Sequence, residues 1–135
     1  LKSDRDGILI PQDWKGVYRM FNNVGTGKPT VSGLAMAGLL GPDLLGRTDA
    51  LRHIFSDMVA DALAPARYLG PDTPPLQVQW GDRDVITPTR CIDWFGSATP
   101  DAEIHVFRGV GHLPMLETPA RSAATLERFV HRHGR

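Results

Sequence analysis

Residues 76–107 constrain this chain more than any other stretch. Leu76, Val78 and Trp80 alternate with Gln77 and Gln79, the period-two pattern of a strand. A short helical run follows from Thr89 to Ala98. A second strand then runs from Glu103 to Phe107, with Ile104 and Val106 on one face. A helix crossing over between two strands makes them parallel. A parallel sheet needs more than two strands and has both faces covered. The 135 residues contain these two strands and, at Ile8-Leu9-Ile10, room for no more than a strand remnant. The expectation is therefore an α/β chain whose sheet is not complete within it.

Each strand ends in a tight turn that delivers one ionisable side chain. Gly81-Asp82-Arg83-Asp84 follows the first strand and delivers Asp84. Gly109-Val110-Gly111-His112 follows the second and delivers His112 from a glycine-rich loop, where the backbone can bend and the ring can project. The ends of parallel strands are where such sheets carry ligands and chemistry. A histidine whose second nitrogen is held by a buried carboxylate is fixed in one tautomer and can take a proton from a hydroxyl. Asp84 and His112 thus read as the acid and base of a nucleophile–His–acid triad. Asp82 is assigned to the turn, where an aspartate bonds nearby backbone N–H groups.

Residues 1–70 have a different character. After a polar opening, Trp14, Val17, Tyr18 and Phe21 mark one face of a helix that starts at Pro11-Gln12-Asp13 and ends at Asn22-Asn23-Val24-Gly25. A second helix is expected from Thr30 to Leu40, stopped by Gly41-Pro42. A third carries a wide apolar stripe of Leu51, Ile54, Phe55, Met58, Val59 and Leu63, with Thr48 as N-cap and Pro65 at its end. Pro65, Gly70, Pro71, Pro74 and Pro75 make residues 64–75 a connector, which divides the chain into a helical region (1–70) and a strand-bearing region (71–135). In the second region Thr118-Pro119 starts a last helix, with Ala123, Leu126, Phe129 and Val130 as its buried side. A basic tail follows from His131.

Fifteen basic and fifteen acidic residues balance, which removes the electrostatic case for nucleic acid or an anionic membrane as partner. The longest apolar stretch, Leu34 to Leu40, is far short of a membrane span. A single cysteine, Cys91, precludes an internal disulfide framework and favours a reducing, cytoplasmic compartment. Gly25-Thr26-Gly27-Lys28-Pro29 lacks the outer glycine and the Ser or Thr of a phosphate loop, since Asn22 and Pro29 stand there. The five histidines show no metal-ligand spacing. Neither a metal nor a cofactor is expected.

The stretch Pro75-Leu76-Gln77-Val78-Gln79-Trp80-Gly81-Asp82-Arg83-Asp84, with Thr87-Pro88 after it, resembles the acid strand and turn of the α/β-hydrolase superfamily. Gly111-His112-Leu113-Pro114-Met115-Leu116-Glu117-Thr118-Pro119 resembles that family's histidine loop and the start of its last helix. The resemblance covers about residues 74–129. It implies a partial α/β-hydrolase fold, a helical cap followed by the last two strands and helices of the sheet, with Asp84 as triad acid and His112 as base. It implies that Glu117 and Pro119 set the loop and the helix start. It also implies that the cap shapes a pocket for a small-molecule substrate, so that Trp14, Tyr18, Phe21, Met36 and Met58 become candidates to line it.

The family's nucleophile normally precedes the cap on a small-x-nucleophile-x-small elbow, and no such pattern occurs here. Ser32 has the right order in the chain but the wrong surroundings, with Thr30 and Leu34 at the elbow's glycine positions. The expected activity is cofactor-free hydrolysis of a small, mostly apolar ester or related acyl compound. The nucleophile would come from outside the chain, on a missing N-terminal half or a complementing polypeptide, so the isolated chain is expected to be inactive. Epoxide hydrolase or dehalogenase chemistry on the same fold is one alternative. A non-catalytic module binding another polypeptide through its unfinished sheet edge is the other.

Overall fold

The computed structural model describes residues 9–60, 64–70 and 72–134. The polar opening, Ile8, Leu63, Pro71 and Arg135 lie outside the described residues. Three helices come first: α1 (Trp14–Val24), α2 (Val31–Gly46) and α3 (Thr48–Ala60). A 3-10 turn (Ala64–Tyr68) leads to β1 (Gln77–Gly81), α4 (Arg90–Ala98), β2 (Glu103–Phe107), α5 (Pro114–Glu117) and α6 (Pro119–His133).

The two strands pair in parallel, with Gln77 opposite Glu103 and Gly81 opposite Phe107. They form a two-stranded sheet in which Val78 and Phe107 belong to the buried core. Each strand therefore has one edge without a strand partner among the described residues. The side chains of β1 work differently on the two sides. Trp80 meets Phe95 of α4 at a ring separation of 6.2 Å, and Phe95 meets Trp94 edge-on at 5.0 Å. The glutamines bind α6: Gln77 donates to the Thr125 carbonyl (3.1 Å), Gln79 donates to the Ser122 carbonyl (3.2 Å), and the Ser122 hydroxyl donates to Gln79 Oε1 (2.5 Å).

That polar seam corrects the expectation for α6. Ser122 and Thr125 are its buried residues, while Ala123, Leu126 and Val130 are exposed and Phe129 is half-buried. Periodicity places the apolar residues of the last helix on its inner face. The half-buried glutamines of β1 select the hydroxyl face instead, because their amides find partners there.

Asn22 clasps α1 to α2. Its amide donates to the Tyr18 carbonyl (2.8 Å), and its Oδ1 accepts from the backbone N–H (2.8 Å) and the hydroxyl (3.1 Å) of Thr30. The Thr30 hydroxyl also accepts from Gly33 N at 2.9 Å, which caps α2. The expected stop at Gly41-Pro42 does not occur, and α2 continues through Pro42 to Gly46. A helix-interior proline removes one backbone bond, at about 3 kcal/mol. Leu44 and Leu45 prolong the helical run beyond it, and the exposed Asp43–Arg47 ion pair (2.8 Å) spans its last turn.

Thr48 does not cap α3 with its side chain. Only Arg47 separates α3 from α2, and the Thr48 hydroxyl donates back to the Leu45 carbonyl at 3.0 Å. The apolar stripe of α3 is only partly covered. None of its described residues is fully buried: Leu51, Phe55 and Val59 are half-buried, while Ile54 is 63% and Met58 50% exposed. The sequence pattern specifies an amphipathic helix, and one side of its apolar face stays open to solvent.

Candidate active site

The first strand ends at Gly81, where the chain has no room for a side chain. A Cβ on Gly81 would collide with the backbone of Val110 and Gly111. The turn and the histidine loop therefore touch backbone to backbone, and hydrogen bonds hold them together. Asp82 N donates to the Phe107 carbonyl (3.1 Å) and Arg83 N to the Val110 carbonyl (2.8 Å). Asp82 Oδ1 accepts from Gly109 N at 2.6 Å. Asp82 thus links the two turns across the sheet end, where the sequence suggested only a bond within its own turn. Gly109 has φ +77°, in the left-handed region that favours glycine.

Asp84 is the residue that closes the local turn. Its Oδ1 accepts from Ile86 N (2.8 Å) and Thr87 N (2.9 Å). Its Oδ2 accepts from the Thr87 hydroxyl (2.6 Å) and meets His112 Nδ1 at 2.8 Å. The side chain is 4% exposed, against 32% for His112. Burial pushes the Asp84 carboxyl up. Donation from the Thr87 hydroxyl, the His112 ring and the backbone N–H groups of Thr87 and Ile86 outweighs it, so its pKa lies below the ordinary aspartate value. An ionised carboxylate only accepts, so Nδ1 carries the ring proton. In the neutral ring Nε2 then presents a lone pair, and it has no hydrogen-bond partner among the described residues.

The histidine loop is fixed from three directions. His112 N donates to the Val24 carbonyl at the end of α1 (3.1 Å). A side chain on Gly111 would run into the Gly25 backbone. The Gly111 N–H is shared between Glu117 Oε1 (2.9 Å) and Oε2 (3.0 Å). Glu117 therefore sets the loop, as the sequence resemblance implied. Thr118 precedes α6, but its hydroxyl donates to the Pro114 carbonyl (3.1 Å) instead of capping the helix, because α5 runs directly into α6.

Two clefts lie near the two turns; Asp84 lines one of them, and the other reaches Leu113, the residue after His112. One, of about 620 Å³, lies between the α1–α2 junction and α5, and Phe21, Val24, Met36, Leu113 and Leu116 give it an apolar lining. The other, of about 610 Å³, is lined by Lys28, Asp82, Arg83, Asp84 and Val85. Thr26 borders both. Of the candidate pocket residues, Phe21 and Met36 are brought to the apolar cleft. Trp14, Tyr18 and Met58 are not part of its lining: Trp14 packs its ring against Gly41 of α2, and Met58 is half exposed on α3. Ser32 also borders the apolar cleft, where its hydroxyl donates to Thr30 Oγ1 at 3.2 Å. Leu113 and Leu116 were legible only as part of the histidine-loop motif; their spacing on the short α5 turn is the signal that could have found them. Among the described residues no cluster of His, Cys, Asp or Glu could hold a metal ion, and no helix is long and apolar enough to cross a membrane.

No family model matches the chain. Three curated proteins described as uncharacterized, one from Mycobacterium bovis and two from strains of Mycobacterium tuberculosis, are each 38% identical over 56 residues. That match spans 42% of this chain and only 16% of theirs. Among solved structures, a membrane phospholipase A described as a bacterial virulence factor superposes with a TM-score of 0.75 at 19% identity, over 92% of this chain and 40% of its own. A thermophilic esterase superposes with a TM-score of 0.68 at 26% identity, over 90% of this chain and 47% of its own. The chain carries part of a hydrolase-like fold. It spans less than half the length of the structures that share it.

Proposed function

We propose that this chain supplies the acid and base of a cofactor-free ester hydrolase of the α/β-hydrolase type. His112 acts as general base through Nε2, and Asp84 holds the ring and stabilises the imidazolium that forms. The observation that carries this is the 2.8 Å bond from His112 Nδ1 to a buried, ionised Asp84. The nucleophile comes from a polypeptide that completes the sheet beside β1. Support comes from the strand edges left open among the described residues and from neighbours of which the aligned part of this chain covers less than half. His112 removes the nucleophile's proton as it adds to the ester carbonyl and returns that proton to the leaving alcohol. A second cycle with water releases the acid.

The substrate is a small ester with an apolar acyl part, lodged in the cleft of Phe21, Met36, Leu113 and Leu116. Residues 1–70 act as the cap over that cleft. The volume suits a ligand of drug-like size. The test is hydrolysis of p-nitrophenyl esters by the protein as its gene encodes it. His112→Ala should lower kcat by about a thousandfold or more. Near-normal turnover would remove His112 from the reaction.

A further inference from the structure

We infer that Thr87 is a positioning residue that aims the Asp84 carboxylate at His112 and so secures the tautomer Asp84 sets, an inference that rests on the reading of His112 as base. Thr87 stands three residues after Asp84, and Thr87 N closes the turn on Asp84 Oδ1 (2.9 Å). Its hydroxyl does something the turn does not require. It donates to Asp84 Oδ2 at 2.6 Å, the same oxygen that His112 Nδ1 reaches at 2.8 Å. It also lies 3.3 Å from Nδ1 itself.

A threonine hydroxyl has one proton and two lone pairs. The short bond to Oδ2 commits the proton to the carboxylate. What Thr87 turns toward Nδ1 is therefore a lone pair, a second acceptor beside Oδ2. The ring nitrogen faces two acceptors and no donor, so its proton stays on Nδ1 and Nε2 stays bare. The same hydroxyl holds the carboxylate. With the two backbone donors on Oδ1, it fixes the carboxyl plane, and the direction from Oδ2 to the ring follows from that plane. Asp84 without Thr87 would keep its charge partner and lose one of its two constraints on Oδ2.

Valine is the isostere that keeps the β-branch and deletes the hydroxyl; serine keeps the hydroxyl and deletes the methyl. The experiment uses the protein as its gene encodes it, with two readouts. Nitrogen-15 NMR reads the ring nitrogens of His112, assigned by their loss in His112→Ala. Steady-state hydrolysis of a p-nitrophenyl ester reads kcat and KM. Thr87→Val should move the His112 signals from a single Nδ1–H tautomer toward a mixture. It should also lower kcat about tenfold, the scale of one hydrogen bond, with KM within about twofold. Thr87→Ser should restore both. A Thr87→Val protein in which either the tautomer or kcat matches wild type overturns the assignment, and so does a Thr87→Ser protein that fails to recover. If Thr87→Val behaves as wild type while His112→Ala is inactive, Thr87 merely fills the turn and His112 keeps its role as base. If His112→Ala retains turnover, the base assignment itself fails, and the role of Thr87 in turnover fails with it.

Discussion

The end of the sheet and helix α3 are built on opposite terms. At the sheet end, Asp82, Asp84, Thr87, Gly111 and Glu117 find their hydrogen-bond partners within two short turns of the same chain. Glycines at positions 81 and 111 let the backbones meet there. On α3, Ile54 and Met58 stay exposed beside the half-buried Leu51, Phe55 and Val59, so the apolar stripe is only partly covered. The polar constellation, braced by the end of α1, finds its partners among the described residues, and the apolar stripe finds only some of its own. The contrast says which part of the molecule can be understood from these residues alone, and which depends on what packs against it.

The contrast can be broken first at the acid. Asp84→Asn keeps the shape of the turn but offers a neutral, partly donating amide to Nδ1, which favours the other tautomer. It should lower kcat on p-nitrophenyl esters by about four orders of magnitude in the complete protein. A loss under tenfold would mean that Asp84 only shapes the turn. The same variant tests the charge. Asp84 has a depressed pKa in the folded chain, so its contribution to stability is present above the unfolded-chain value of about 3.9 and is lost as pH falls through the lower folded value. Urea midpoints followed downward from pH 7 should fall below about pH 4 in wild type, and Asp84→Asn should lack that part of the slope.

Next in size is Gly81→Ala. Its methyl would meet the backbone of Val110 and Gly111, neither of which can swing aside as a side chain would. The expected loss is about 3 kcal/mol by chemical denaturation. Smaller again is Glu117→Gln, which keeps an acceptor for Gly111 N and removes its charge. About 1 kcal/mol should be lost, because Glu117 is exposed. Smallest should be Ile54→Ser on α3, within about 0.5 kcal/mol for the chain alone. A loss of 2 kcal/mol or more there would show that the stripe is buried in solution and would end the contrast.

Much of the fold was legible because it rests on local patterns. The alternation of Leu76 to Trp80 and the crossover helix foretold β1, β2 and their parallel pairing, which Gln77 opposite Glu103 bears out. The meeting of Asp84 and His112 was legible because each follows a strand end, His112 in a glycine-rich loop. What escaped depends on residues far apart in sequence. The inner face of α6 is chosen by Gln77 and Gln79, more than forty positions away, and hydrophobic periodicity alone points to the wrong side. Asp82 reaches Gly109, so its local role as a turn former was the wrong one. Pro42 looked like a stop because a proline ends most helices, yet α2 runs through it. Thr87 received no role from the sequence, since nothing in a sequence says that one hydroxyl will meet both an acid and an imidazole.

The central claim is that His112, held by Asp84, activates a nucleophile that these 135 residues do not carry. A fluorophosphonate forms a stable bond with a serine nucleophile only when a base assists it, and mass spectrometry locates the adduct. In the protein as its gene encodes it, the account predicts one adduct, on a residue outside this chain, and its loss in His112→Ala. An adduct on Ser32, or labelling at the wild-type rate without His112, would contradict it.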